Sequence, residues 1–173
     1  MVGRWPVVAA LAALLASACS PGQISGSVCG ATLAGAVPLT TVSCTATVGR
    51  DATPDGLGLI NILLDAAGFY QGAFSVTTPA TPTTTTYAST DPGASGNCLV
   101  YPHSGQPIWG AGVGGPPDQG SYSLSLTTLA GAVPYPDGGT GLNYSVVHGS
   151  ANCTMPPVAG SGATGTVTMN ATF

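Results

Sequence analysis

The sequence predicts an all-β protein, an antiparallel β-sandwich with hairpin or Greek-key connections, with a closed β-barrel as the alternative. Three observations lead there. Apolar and hydroxyl residues alternate with a period of two, as in Val42, Cys44, Ala46 and Val48 against Thr41, Ser43, Thr45 and Thr47, the pattern of a strand with one buried face. The chain has no Lys and no Glu, two of the stronger helix formers, while Thr, Val and Gly are plentiful. Clusters of Gly, Pro, Asp and Asn separate the alternating stretches at short intervals, dividing the body into about eight or nine short strands.

The first strand pair is expected over Ile24–Leu33 and Thr40–Gly49, with Cys44 on the buried face. Between them, Gly35 can take positive φ and Pro38 interrupts pairing. The run RDATPDG at 50–56 is turn chemistry, Pro54 presetting φ and Asp55-Gly56 closing the turn. It partly resembles a calcium loop through Asp51, Thr53 and Asp55, but Ile62 stands where the bidentate acid belongs, so the turn is sufficient. Leu57–Asp65 fits a helical face or an alternating strand. The clear alternation that follows, with Tyr70, Gly72, Phe74 and Val76 on one side, favours strand, turn, strand.

Thr78–Thr86 is a low-complexity loop or polar edge strand, and Asn97–Tyr101 a short strand carrying Cys98. Residues 102–120 form a long Gly- and Pro-rich connection in which no regular structure is expected. Ser121–Leu129 alternates again, Pro134–Gly141 is a turn, and Asn143–His148 and Ala163–Phe173 supply the last strands, with Val167, Met169, Ala171 and Phe173 inward. The heptapeptide TLAGAVP occurs at Thr32–Pro38 and at Thr128–Pro134. A duplicated hairpin would explain it, but the flanks do not align, Ser125 standing where Cys29 would be, and a composition rich in Ala, Gly, Val and Thr accounts for the match.

At the N-terminus, Arg4 precedes an apolar run from Val7 to Leu15, followed by Ala16, Ser17, Ala18 and Cys19. Positive start, short apolar core and small-residue cleavage site define a secretory signal, residues 1–18. The core is far shorter than the roughly 18 to 20 apolar residues of a transmembrane helix. Leu15, Ala16, Ser17, Ala18 and Cys19 resemble the lipobox of bacterial lipoproteins, with leucine one place early and Ala16 where the family prefers leucine. The resemblance implies cleavage before Cys19, acylation of its sulfur and new α-amine, and a lipid anchor in the envelope membrane. Ser20, rather than Asp, implies outer-membrane sorting where such a membrane exists. Ordinary cleavage after Ala18, followed by secretion, is the competing reading. Residues 19–23 then form a tether and 24–173 the domain, whose layout is loosely similar to small envelope lipoproteins.

With Cys19 carrying lipid, Cys29, Cys44, Cys98 and Cys153 remain, an even number in a chain expected to enter an oxidising space. Three pairings are possible. Cys29 and Cys44 sit symmetrically about Ala36 and Val37 in the first hairpin, favouring Cys29 with Cys44 and Cys98 with Cys153. No C-x-x-C spacing occurs and His103 and His148 stand apart, so neither metal nor cofactor is expected.

Beyond residue 18, Arg50 is the only Lys or Arg, against six Asp, which argues against nucleic acid as a partner, since phosphates require clustered cations. There is no G-x-S-x-G elbow, no H-E-x-x-H and no phosphate-cradling loop. The expected role is therefore non-catalytic binding or structural contact at the envelope, with an envelope protein or a glycan as partner. Candidate ligand contacts are His103 and Trp109 in the long connection and Tyr135 in the turn after it. Trp109 could stack on a sugar, or fold down over one end of the core. Two further roles compete with the anchored one: a secreted glycan- or protein-binding module, and a hydrolase using His103 or His148 as a base.

Overall fold

The computed structural model describes residues 27–50, 57–64, 70–79, 81–92, 95–106, 108–112, 120–134 and 141–173. Among them the protein is all-β, with ten antiparallel strands: β1 (Ser27–Gly35), β2 (Thr40–Arg50), β3 (Gly58–Leu64), β4 (Tyr70–Thr78), β5 (Thr86–Ala88), β6 (Ser95–Pro102), β7 (Trp109–Ala111), β8 (Ser121–Pro134), β9 (Leu142–Met155) and β10 (Val167–Thr172). They form one sheet in the order β5-β8-β9-β10-β1-β2-β3-β4-β6-β7.

The sheet closes on itself. Beyond the point where β1 stops covering β2, the start of β9 takes its place, pairing Asn143 with Gly49 and Leu142 with Arg50, so β9, β10, β1 and β2 make a small closed barrel. The closed form weighed beside the sandwich is thus present at the centre of a larger curled sheet. At the far edge, β7 bonds the chain just after β9. The Gly110 amide donates to the Pro156 carbonyl (3.0 Å) and the Val158 amide to the Ile108 carbonyl (2.9 Å). The β7 edge is thereby tied back to the chain that follows β9.

The alternation read from the sequence is the alternation of burial. Val42, Cys44, Ala46 and Val48 are buried, as are Ile60, Ile62, Leu64, Phe74 and Val76 along β3 and β4, which settles Leu57–Asp65 as strand over its described part. Val167, Met169 and Ala171 point inward in β10, while the terminal Phe173 is half-buried against the core. The inner faces of β4 and β6 meet those of β8 and β9: Phe74 packs on Tyr122 with ring centroids 5.6 Å apart, and a disulfide joins Cys98 to Cys153. The other disulfide joins Cys29 to Cys44, which lie directly opposite each other in β1 and β2.

Several expectations are corrected. The connection 102–120 contains β7, because Trp109 and Ala111 find buried places against Val100 and Cys98 across the β6 ladder. β8 runs on through the second TLAGAVP to Pro134, and β9 spans 14 residues rather than the six expected at Asn143–His148. A one-residue irregularity between Leu126 and Thr128 lets β8 and β9 stay paired over their whole length. The two heptapeptides therefore differ in structure: the first breaks at Gly35, whereas the second continues as strand. β10 starts at Val167, later than expected, because residues 156–158 serve β7 and the chain turns at Gly160, Gly162 and Gly165, each with positive φ. The RDATPDG turn beyond Arg50, residues 135–140 of the Pro134–Gly141 turn, and the tether lie outside the described residues.

Candidate functional site

The candidate site is the open mouth of the curled sheet, at the end where β2 and β4 begin and β6 ends. A solvent-open depression of about 490 Å³ lies there, lined by Pro38, Thr40, Tyr70 and Pro102. Its position follows from local chemistry. Gly35 leaves β1 with φ of 101°, and the next amide, Ala36, donates to the Thr166 carbonyl (2.9 Å). Val37 then tucks into the core, which turns Pro38 and Leu39 outward. The Thr40 hydroxyl donates to the Pro38 carbonyl at 2.8 Å, holding this corner before β2 starts.

On the other side Tyr70 and Pro102 are directly opposed at the ends of β4 and β6. The chain reverses just beyond, where the Gly105 amide donates to the Pro102 carbonyl (2.8 Å) and Gly105 has φ of 88°. His103 is exposed on this reversal. Tyr70 is half-buried, its ring packed against the core. The mouth is thus lined by one aromatic ring, two proline rings and one threonine, with Leu39, 78 % exposed, next to Pro38 and Thr40 in the chain. Such a surface can hold an apolar group or the apolar face of a sugar, since the ring supplies contact area at small entropic cost.

The sequence-derived candidates are placed differently from one another. His103 lies next to the mouth; His148 is exposed on β9, opposite Thr128. Tyr135 and Cys19 lie outside the described residues. Trp109 is 5 % exposed, and its Nε1 donates to the Thr164 carbonyl at 3.4 Å. Its ring therefore closes the core where β7 meets the chain after β9, the second of the two fates open to it. Among the described residues no three His, Cys, Asp or Glu side chains gather in a group that could hold a metal ion. Asp91, the one described aspartate, accepts the Ala88 amide on Oδ2 (2.7 Å) and shapes the turn after β5. Burial, and then the negative charge of Asp91, push the Tyr122 phenol above its ordinary pKa.

Pro38, Thr40, Tyr70 and Pro102 were not singled out by sequence reasoning. Each reads locally as a turn breaker or the first residue of a strand, and nothing in their spacing brings them together; the β4–β6 pairing and the Gly35 turn do. Among known protein families, curated proteins and solved structures, none matches this chain.

Proposed function

We propose that this chain is a lipid-anchored protein of the cell envelope, acylated at Cys19 and sorted to the outer membrane where one exists, that acts by non-catalytic binding. The observation that carries it concerns the five cysteines. Four are taken up in the Cys29–Cys44 and Cys98–Cys153 disulfides, which fit an exported protein in an oxidising compartment. The fifth, Cys19, stands at the end of the lipobox-like segment. The antiparallel pairing supports a division of labour: β1 starts at the end from which the tether leaves, and the depression sits at the opposite end, where β2 starts.

Intact mass of the membrane-extracted protein tests this reading. A chain starting at Cys19, heavier by a diacylglycerol and an amide-linked acyl chain and lighter by the four hydrogens of two disulfides, is expected. A chain starting at Met1, or an unmodified thiol at residue 19, would overturn it. A glycan is favoured as ligand by the Tyr70 ring that lines the depression with Pro38 and Pro102. Retention on an immobilised envelope polysaccharide should then fall at least about tenfold in Tyr70→Ala, the loss of one stacked ring, and undiminished retention would count against a sugar.

A further inference from the structure

Seven large apolar side chains are exposed among the described residues, and four of them, Val28, Leu57, Leu59 and Leu63, belong to one side of the sheet. Leu59 and Leu63 alternate with the buried Ile60, Ile62 and Leu64 and so face away from the core, and Leu57 precedes them in the same phase. Cross-strand register carries that outer face sideways. Gly49 pairs with Leu59 and Leu59 with Thr77, making one row across β2, β3 and β4. Val28 pairs with Thr45 and Thr45 with Leu63, making a second row across β1, β2 and β3. Residues of one row share a face, at roughly 4.8 Å per strand. The row between them, Thr47, Asn61, Ser75 and Asn97, carries no charge.

From this we infer that the outer face of β3, with Val28, rests on the lipid bilayer and sets the orientation of the domain. The inference depends on the lipid-anchor reading. Val28, 86 % exposed, is the second residue of β1, and about eight residues separate Cys19 from Ser27, a reach of at most roughly 28 Å. A domain held that close must set one side against the membrane, and this side is both next to the tether and apolar. Without residues 1–18 the chain has Arg50 against six Asp, a net charge of 1 − 6 = −5, so the force is insertion of apolar side chains rather than attraction to anionic headgroups. The depression near Leu39 is left at the end away from the tether.

The test uses the acylated full-length protein in phosphatidylcholine vesicles with brominated acyl chains, which quench only indole lying at acyl depth. Tryptophan is introduced at one position at a time, Leu59→Trp, Leu63→Trp or Leu39→Trp, over the buried Trp109. Quenching at 59 and 63 at least about twofold above that at 39 is expected, since interfacial side chains enter by about 5–10 Å. Equal quenching at the three positions, or more at 39, overturns the assignment of the face. Intact mass of the same samples reports acylation independently, so an acylated protein without the positional difference removes the face and leaves the anchor. If the protein proves unacylated, its retention on the same vesicles decides: a severalfold loss in the Leu59→Asn/Leu63→Asn double variant upholds the face, and no loss removes it. These positions are exposed, so the variants retain the core.

Discussion

Gly35 and Gly30 sit in the same strand and make opposite demands. Gly35 has φ of 101°, and a Cβ there would collide with the Thr166 carbonyl oxygen. Gly35→Ala should cost about 2–3 kcal/mol, positive φ and backbone collision together. Gly30 has open space around the missing Cβ and lies between Ser43 and Thr172 on the outer face. Gly30→Thr should stabilise by about 0.5–1 kcal/mol, because a β-branched residue restricts the unfolded chain and suits a pleated surface. Urea midpoints of the two variants against the parent read both effects, and equal shifts would mean that the turn is not held by Gly35. Tyr122 supplies a pH dependence. Its folded pKa is raised by burial and by Asp91, so above about pH 10, where the unfolded phenol ionises, the native state holds the extra proton and stability falls as pH rises. Tyr122→Phe should flatten that slope in urea titrations between about pH 9 and pH 11.

At the level of elements, the two disulfides do different work. Cys29 and Cys44 are 15 residues apart and already face each other in a hairpin, Cα–Cα 4.8 Å. Cys98 and Cys153 are 55 residues apart, with Cα atoms 6.6 Å apart, and clamp β6 to β9, which are not neighbours in the sheet. Loop entropy alone gives about 3 kcal/mol for the first and about 4 for the second, and the β1–β2 ladder holds its hairpin even without sulfur. Replacing Cys98 and Cys153 by Ala should therefore lower Tm more than replacing Cys29 and Cys44, and the reverse order in thermal unfolding would show that the hairpin needs its cross-link. The elements differed in how far they could be read. β2, β4 and β10 were legible because each pairs over a stretch whose alternation is complete in sequence. β7 was not: three residues, Trp109, Gly110 and Ala111, carry no period, and they are strand because Val100 and Pro157 flank them. The second half of β8 was hidden for a related reason, since Ala130–Val133 shows no alternation and is held by its ladder to β9.

On the scale of the whole molecule, the sheet closes because one long strand, β9, serves three neighbours: β8 along its length, β10 over its second half and β2 at its start. The depression lies at the end of the sheet where β2 starts, opposite the end where β1 starts. The four paired cysteines were legible as parity, whereas the mouth was not, since it is made by Pro38, Thr40, Tyr70 and Pro102, which lie on three different strands or their flanks. The amino-acid sequence alone determined the all-β class, the buried face of the main strands and the likeness to a lipidated export signal, because each is written in short-range pattern: period two, turn residues, a contiguous apolar run. Tertiary structure decided the ring closure, the burial of Trp109 and the place of the mouth. These arise where residues tens of positions apart satisfy each other's backbone hydrogen bonds, and no local period records which distant edge a strand will meet.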